Sequence, residues 1–396
     1  MSPQLLDRSP DLLGLVADGY EVEIIGSHLV IRHVPYLNSR KEVRFGTLVS
    51  VLTLANEATA KPGDHVVSFA GEHPCNVDGS ELVRIKHQSQ HQDLGHGIVV
   101  DHTFSNKPEG GYSDYHHKMT TYIAIISGPA EAIDPNVTAR TRRVIPSDDP
   151  KSVFVYRDTA SSRAGIGAVS SKLELDKIAI LGLGGTGSYV LDLVAKTPVK
   201  EIHLFDADRF LQHNAFRSPG AASLDDLTGI PLKVAYFKNQ YSRMHRGIIV
   251  HDSYVDASNV GDLQQMSFVF LCLDRPTAKQ VIVEKLEEFD IPFVDVGMGI
   301  ELVDDALGGV LRVTTSTRRM RDHVRAKNRI SFTGADGEND NADYARNIQI
   351  ADLNALNAAL AVVKWKKLFG FYRDLDDEHF STFTVDGNAL VNEDQT

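Results

Sequence analysis

The sequence of 396 residues contains only two cysteines, Cys75 and Cys272. Two cysteines cannot build a disulfide framework or a four-cysteine zinc site. No apolar run approaches the roughly 20 residues that span a bilayer, and the N-terminus lacks the pattern of a signal peptide. The net charge of −12 gives no basic excess for nucleic acid or anionic membranes. We therefore expect a cytoplasmic protein that binds neither nucleic acid nor membranes.

The composition, 42% hydrophobic and 24% charged, is typical of folded globular proteins. Short β-branched runs separated by turn residues predict a β-rich α+β domain over residues 1–150, with a leading helix from Pro10 to Ala17. The sequence IPSDDPKS is expected to end this domain as a linker or turn. The predicted strands lie in GYEVEIIGSHLVIRHV, KEVRFGTLVSVL, DHVVSFAG, ELVRIKH, HGIVVDHTFS and TTYIAIISG.

Residues 151–396 have a different pattern, in which wholly apolar strands alternate with apolar-periodic helices from Lys177 onward. Strands of this kind are buried on both faces of a sheet. The pattern therefore predicts an α/β domain with a doubly wound, mostly parallel, Rossmann-like sheet. A long amphipathic helix is expected from Ile348, with a core face made of Ile348, Ala351, Leu353, Leu356, Leu360 and Val363.

A glycine-rich turn, Gly182-Leu-Gly184-Gly185-Thr-Gly187, follows the first of these strands and opens the next helix. Glycine lets the backbone approach a phosphate closely, and the free N–H groups of a helix N-terminus favour an anion. Asp206 closes the second strand, at the distance expected for a carboxylate that holds ribose hydroxyls. This arrangement predicts a nucleotide site.

Polar residues suited to a triphosphate follow in the sequence. Arg217 offers a bidentate fork for phosphate, and Lys233 offers a point charge. Asp274 follows the strand SFVFLCL, where open parallel sheets bind ligands, and is a candidate Mg²⁺ ligand. Any one of these residues could be a helix cap or a surface ion pair. The set in order favours a triphosphate, and it includes Asp206, Asp208, Asn214, Arg217, Lys233 and Asp274.

In this order the motifs GxGGxG, DxD, NxxR, GxPxK and CxD resemble the ThiF/MoeB/ubiquitin-activating-enzyme superfamily over about residues 155–370. The resemblance implies an adenylyltransferase that uses ATP and Mg²⁺ to activate the C-terminal carboxylate of a ubiquitin-like protein. It also implies a homodimer, and an arginine upstream of the first strand, either Arg163 or Arg157.

The resemblance also assigns roles to single residues. Arg217, Lys233 and Asp274 would be the catalytic residues, with Asp274 as the metal ligand. The residues that would bind ATP are Gly182, Gly184, Gly185, Gly187, Asp206, Asp208, Asn214, Arg217, Lys233 and Arg163.

Two departures from the family pattern matter. The lysine motif carries extra residues, so Lys238 is an alternative to Lys233. No cysteine follows Cys272, which lies in an apolar strand and is expected to be a buried, inert thiol. An ordinary thioester step is therefore not expected. An oxyester remains an alternative on a hydroxyl in the region where the family has its cysteine, namely Thr314, Thr315, Ser316 or Thr317.

The N-terminal region is rich in histidine, which could bind a metal or simply be hydrogen-bonded. It resembles a domain fused ahead of ThiF-like domains in bacterial operons that also encode ubiquitin-like and conjugating proteins, some of them linked to phage defence. We expect it to recognise a protein partner. For the protein as a whole, the expected partners are a ubiquitin-like protein and, as a further candidate, a conjugating enzyme. The histidines are His87, His91, His96, His102, His116 and His117.

Two other functions stay open at this point. A NAD- or flavin-dependent oxidoreductase on a Rossmann fold would share the glycine turn, but it would leave Asn214, Arg217 and Asp274 unexplained. A non-catalytic nucleotide-binding scaffold would account for the missing cysteine. It would not account for the retained set of phosphate-binding residues.

Overall fold

The structure is a computed structural model that describes residues 5–6, 8–144, 152–332 and 348–395. Contacts divide the chain into two compact units, Met1–Pro150 with Tyr156–Ala168, and Lys151–Val155 with Val169–Thr396. Residues 145–151, which hold most of the predicted linker, lie outside the described residues. The predicted boundary after residue 150 therefore stays a prediction. Within the described residues, no helix is both long and apolar enough to cross a membrane.

The first unit is built on a six-stranded antiparallel sheet with the strand order β1-β2-β3-β6-β8-β7. The predicted leading helix is confirmed as α1 (Pro10–Asp18), and two further helices are α2 (Tyr115–Ile133) and α3 (Thr159–Ala164). The strands are β1 (Glu21–Ile25), β2 (His28–Leu37), β3 (Val43–Val51), the small hairpin β4 (Leu54–Ala55) and β5 (Ala58–Thr59), β6 (Val66–Ala70), β7 (Lys86–Asp93) and β8 (Val99–Ser105).

Helix α2 contains the segment TTYIAIISG, so the prediction of a strand there is wrong. The Asp114 carboxylate caps the helix by accepting a hydrogen bond from the His117 backbone N–H at 2.7 Å. The buried side chains recur every three or four residues and join the core that covers β2. Packing of this face outweighs the β-propensity of the isoleucines and threonines. The buried face includes Tyr115, Met119, Tyr122, Ile123 and Ile126.

The second unit contains an eight-stranded sheet with the order β11-β10-β9-β12-β13-β14-β15-β16. The strands from β11 to β13 are parallel, and those from β13 to β16 are antiparallel. This confirms the predicted Rossmann-like α/β class. The strands are β9 (Lys177–Leu181), β10 (Glu201–Phe205), β11 (Ile248–His251), β12 (Phe268–Leu271), β13 (Phe293–Val303), β14 (Ala306–Ser316), β15 (Glu378–Thr384) and β16 (Ala389–Gln395).

Helices cover both faces of the parallel strands, because alternate strand residues point to opposite sides. Ile178 and Ile180 join one core, which contains the fully buried Trp365, whereas Ala179 and Leu181 join the other. The helices are α4 (Gly167–Ser170), α5 (Gly185–Val194), α6 (Gln212–Ala215), α7 (Leu224–Thr228), α8 (Lys233–Tyr241), α9 (Pro276–Glu288), α10 (His323–Ala326) and α11 (Ala351–Leu368), with 3₁₀ turns at Ser171–Leu173 and Val260–Gln265.

The long C-terminal helix exists as predicted in α11, but its predicted core face is largely wrong, although Leu360 does pack against the core. Leu353, Leu356 and Leu360 are only half-buried, and Val363 is 41% exposed. The helix instead buries a face that combines small and polar residues with the larger side chains of Val362 and Trp365. The buried residues of α11 are Asn354, Asn357, Ala358, Ala361, Val362, Lys364 and Trp365.

Candidate functional site

A cleft of about 1360 Å³ lies at the carboxyl ends of the parallel strands of the second unit. Parallel strands end at one edge of a sheet, so the loops that follow them converge there. The N-termini of α5 and α9 also contribute to the lining, and both favour an anion. Predicted residues that line the cleft are Gly182, Gly184, Gly185, Asp206, Asp208, Asn214, Arg217, Lys233 and Asp274.

The glycines of the turn have separate structural reasons. A Cβ on Gly184 would meet no atom within 4 Å, so this glycine leaves its backbone open to the cleft. A Cβ on Gly185 would lie 2.1 Å from Nδ2 of Asn354, which shows that α11 packs against the turn. Gly187 does not line the cleft, since its Cα faces the carbonyl of Gly182, which a Cβ would approach to 2.0 Å. The open backbone and the nearby helix N-terminus fit a phosphate chain.

Asp206 fixes the glycine turn to the neighbouring loop. Its carboxylate accepts hydrogen bonds from the backbone N–H of Leu183 at 2.6 Å and of Asp208 at 2.8 Å. Burial raises the pKa of Asp206, although the charge of Lys233 and these two N–H groups act in the opposite direction. The carboxylate therefore has both a structural role and a place in the cleft wall.

Lys233 is buried at the first position of α8 and forms an ion pair with Asp208. Its Nζ lies 2.6 Å from Oδ2 of Asp208 and 3.8 Å from Oδ2 of Asp206. Burial raises the pKa of Asp208, but hydrogen bonds from Lys233 and Tyr254 and the charges of Lys233 and Arg275 outweigh it, so the pKa lies below its usual value. The lysine is thus held at the cleft by two carboxylates.

Asn214 and Arg217 lie on the segment between β10 and α8. Oδ1 of Asn214 accepts the backbone N–H of Leu211 at 2.8 Å, so this side chain also caps the short helix α6. Arg217 is half-buried in the cleft wall, and its charge acts with burial to lower the pKa of His213. Positive charge exceeds negative charge along the cleft, with Arg209, Arg217, Lys233, Arg275, Lys279 and Arg312 against Asp206, Asp208 and Asp274.

Asp274 follows β12 and is exposed to the cleft. Within the described part of the chain, its carboxylate takes part in no hydrogen bond or ion pair. Mg²⁺ takes one or two carboxylates together with phosphate oxygens and water, so this free carboxylate fits a magnesium ion that arrives with a nucleotide. Over the described ranges, no three His, Cys, Asp or Glu side chains are grouped so as to hold a metal by themselves.

The structure separates the residues that were alternatives for the arginine and lysine positions. The side chain of Arg163 lies outside the described residues, and Nη1 of Arg157 donates to the carbonyl of Val22 at 3.1 Å within the first unit. Lys238 is exposed on α8 and is not part of the cleft lining, whereas Lys233 is. The structure therefore favours Lys233 over its alternative.

Neither cysteine has the surroundings of a nucleophile. Burial raises the pKa of Cys75 and, together with the charge of Asp295, that of Cys272, so both thiols stay protonated near neutral pH. Cys272 lies in the loop after β12 and lines the cleft without being fully exposed. Of the four hydroxyls considered for an oxyester, those of Thr314, Thr315 and Ser316 are buried in β14. Thr317 follows this strand and is half-buried, with its hydroxyl 3.2 Å from Nε2 of His379.

Sequence reasoning missed the polar wall that extends the cleft along β13 and β14. Asp295 is fully buried and lies 2.6 Å from Nζ of Lys279 and 2.8 Å from Nη2 of Arg312. Asn357 donates to the Gly297 carbonyl at 3.0 Å from the buried face of α11. The sequence signal for this wall was a charged residue between apolar neighbours in each of two strands, Asp295 in FVDV and Arg312 in VLRV.

Five of the six histidines singled out in the sequence form hydrogen bonds, and among the described residues none belongs to a group that could hold a metal ion. His87 and His91 lie on strand β7, not on the helix face that a paired metal site would need. Nδ1 of His91 lies 2.8 Å from Oδ1 of Asp101, and Nδ1 of His102 lies 3.0 Å from the Ser89 hydroxyl. These contacts support the structural reading of the histidines.

Comparison with known proteins divides the chain near residue 160. Residues 160–323 match the ThiF family, and residues 10–159 match a domain of unknown function, DUF6791. The chain therefore carries a ThiF family domain, which confirms the resemblance seen in the sequence. This match supports an ATP-dependent enzyme that adenylates a carboxylate. None of the curated proteins compared with the chain matches it.

Several solved structures match part of the chain at low identity. E. coli MccB is 17% identical, with a TM-score of 0.46 over 60% of this chain and 67% of that chain. E. coli MccB with ATP is 18% identical, with a TM-score of 0.46 over 60% and 70%. PaaA is 18% identical, with a TM-score of 0.43 over 57% and 75%. At this distance the likenesses carry no argument about the activity of this chain.

Proposed function

We propose that this protein uses ATP and Mg²⁺ to adenylate the C-terminal carboxylate of a ubiquitin-like protein. The observation that carries the proposal is the cleft, whose lining includes an open glycine turn, buried Lys233, Arg217 and the exposed carboxylate of Asp274. An excess of cations over carboxylates suits the charge of a triphosphate and of an incoming carboxylate. A site for hydride transfer would not need this excess of positive charge.

The proposed reaction is an in-line displacement at the α-phosphate of ATP. A carboxylate oxygen of the substrate forms a bond to the α-phosphorus, the bond to the β-phosphate oxygen breaks, and pyrophosphate leaves. Arg217 and Lys233 would stabilise the charge that builds on the phosphates. Asp274 would hold Mg²⁺, which neutralises phosphate charge when bound. The acyl-adenylate is the expected end of the chemistry in this chain, since neither thiol is activated.

The finer parts of the proposal concern partners. A ubiquitin-like substrate and a conjugating enzyme as a second partner follow from the sequence resemblance, as does a role in a bacterial conjugation pathway of a kind that is in some cases linked to phage defence. The cytoplasmic location is the expectation drawn from the sequence pattern itself. A homodimer follows from it too, and the half-exposed apolar stripe of α11, including Val363 at 41% exposure, supports such a contact. Sedimentation of the purified chain tests the dimer.

Pyrophosphate exchange into ATP tests the activity. The wild-type chain should catalyse exchange only when a ubiquitin-like protein with a free C-terminus is present, and a version truncated at its C-terminus should not support it. Asp274→Ala should reduce exchange by about 10²–10³-fold because the metal position is lost. Exchange that is unchanged in Asp274→Ala would contradict the assignment of the metal ligand.

A further inference from the structure

Arg275 lies in the cleft beside Asp274 and has no role among the residues already assigned. It is the N-cap residue of α9, and its guanidinium lies 5.2 Å from the centre of the Tyr254 ring. Within the described residues, this guanidinium makes no hydrogen bond or ion pair. Its donors are therefore available to a ligand in the cleft, and Arg favours phosphate because its fork can bind two oxygens.

The contact between Tyr254 and Arg275 joins loops that follow two separated strands. Tyr254 follows β11 and Arg275 follows β12, and the strands β10 and β9 lie between them in the sheet. Neighbouring strands are about 4.8 Å apart, so the two loops reach across roughly 14 Å. Both residues line the cleft, and the strand between them that carries the glycine turn is β9. The contact between Tyr254 and Arg275 therefore spans the strand ends beside the glycine turn, which is the candidate phosphate-binding segment.

Tyr254 is also tied to the residues that hold Lys233. Its hydroxyl donates a hydrogen bond to the carboxylate of Asp208, whose other oxygen is paired with Lys233. The carbonyl of Tyr254 accepts the Nδ2 of Asn259 at 2.8 Å, which holds its loop in place. The ring is thus anchored at both ends, and a cation resting on it is held over the cleft.

The pKa of Asp208 agrees with this position of Arg275. The charge of Arg275 is among the causes that, against burial, hold the pKa of Asp208 below its usual value. The guanidinium is therefore close enough to Asp208 for its charge to act there, and Arg275 directly follows the candidate magnesium ligand Asp274 in the chain. We expect a phosphate chain that contacts Lys233 and a magnesium ion on Asp274 to come within reach of this arginine.

We propose that Arg275 is a phosphate-binding residue of this cleft and that Tyr254 is the positioning residue that holds it there. The ligand is the part of a nucleoside triphosphate that leaves as pyrophosphate. This inference rests on the proposed function, since it needs a nucleotide in the cleft. It adds a cation from within the second unit itself, independent of the upstream arginine that the family resemblance implies.

Calorimetric titration of the full chain with ATP–Mg²⁺ and with AMP tests the inference without any protein substrate. Arg275→Ala should weaken ATP binding about 10- to 100-fold, because a charge-assisted contact is lost, and should change AMP binding less than about twofold. Arg275→Lys should recover part of the loss. Arg319→Ala, which removes an exposed arginine outside the cleft lining, is the matched control and should change neither.

Tyr254 is tested by two substitutions that separate its ring from its hydroxyl. Tyr254→Ala should weaken ATP binding about 2- to 5-fold, because the stacked cation is released. Tyr254→Phe keeps the ring and should restore affinity to within about twofold of wild type. An equal loss in both variants would overturn the positioning role, because it would assign the effect to the hydrogen bond with Asp208.

The outcomes keep the inference and the proposed function apart. Wild-type binding of ATP with unchanged affinity in Arg275→Ala would overturn the inference and leave the proposed function standing. An equal loss of ATP and AMP affinity would also overturn it, because the residue would then act on the nucleoside or the fold. Failure of the wild-type chain to bind ATP at all would overturn both.

Discussion

Each unit of the molecule contains a buried lysine that is paired with an aspartate, yet only one of them lies in the cleft described here. Lys118 is fully buried on α2, with Nζ 2.9 Å from Oδ1 of Asp64. Lys233 is buried on α8, with Nζ 2.6 Å from Oδ2 of Asp208. Burial and pairing are alike, so they do not identify a functional site by themselves.

The difference lies in the sheets. Antiparallel strands of the first unit end alternately at opposite edges, so the loops after them are divided between the two edges. Parallel strands of the second unit all end at one edge, where their loops converge on the cleft. A polar residue just after such a strand therefore carries more information about function than a polar residue elsewhere.

The largest expected effect comes from Lys233→Met. It should weaken ATP binding about 10- to 100-fold and cost roughly 3 kcal/mol of unfolding free energy, because Asp206 and Asp208 lose their buried counter-charge. Calorimetry and urea unfolding measure the two effects. Lys238→Met changes an exposed lysine of the same helix and should leave both values unchanged. Wild-type ATP affinity in Lys233→Met would contradict the functional difference proposed between Lys233 and Lys118.

Two neighbouring glycines should separate stability from binding. Gly185→Ala should cost about 1–3 kcal/mol of stability, because its Cβ would overlap Asn354. Gly184→Ala should leave stability within about 0.5 kcal/mol, since its Cβ meets only open space, but it should weaken ATP binding by obstructing the cleft. Thermal unfolding and ATP titration of both variants give the test. The opposite assignment of the two effects would contradict this reading of the turn.

Acid should destabilise the first unit through His73 and His102, whose rings lie 5.0 Å apart. Burial lowers the pKa of both residues, and the charge of His73 lowers that of His102 further. The unfolded chain therefore binds protons more readily, so stability is kept above about pH 6.5 and lost as the pH falls below it. Urea unfolding of His102→Gln between pH 7.5 and 5 should give a flatter dependence. His87→Gln, at an exposed position of β7, serves as the control.

The smallest effect is expected for Lys118→Met. A buried ion pair is often replaced by an apolar side chain at little cost, and Asp64 keeps half of its side chain in water. The change in unfolding free energy should stay within about 1 kcal/mol, with ATP affinity unchanged. A loss of unfolding free energy as large as that in Lys233→Met would contradict the proposed difference between the two lysines.

The sequence predicted the cleft well because its residues follow apolar strands in a fixed order. Asp206 and Asp274 could be assigned to the sheet edge from the strands KIAIL, EIHLF and SFVFLCL alone. Residues such as Tyr254 and Arg275 were missed, because their contact joins loops that only the folded sheet brings together. The sequence places Arg275 directly after Asp274, but nothing in the sequence indicates that Arg275 contacts Tyr254.

Prediction failed where tertiary packing decides. TTYIAIISG forms part of α2 despite its β-branched residues, because one face of the helix is buried. β7 is a strand although every one of its residues is exposed, so it offered no apolar alternation to detect. The core face of α11 contains Asn354 and Asn357, whose contacts with Thr186 and Gly297 could not be foreseen from hydrophobic periodicity.

The most direct test of the central claim is calorimetric titration of the purified chain with ATP–Mg²⁺ and, separately, with NAD⁺, alongside Asp274→Ala. The account predicts that the wild-type chain binds ATP–Mg²⁺, that NAD⁺ binds weakly or not at all, and that Asp274→Ala weakens ATP binding only when Mg²⁺ is present. Binding of NAD⁺ without ATP would contradict it and make the second unit a dinucleotide-binding domain.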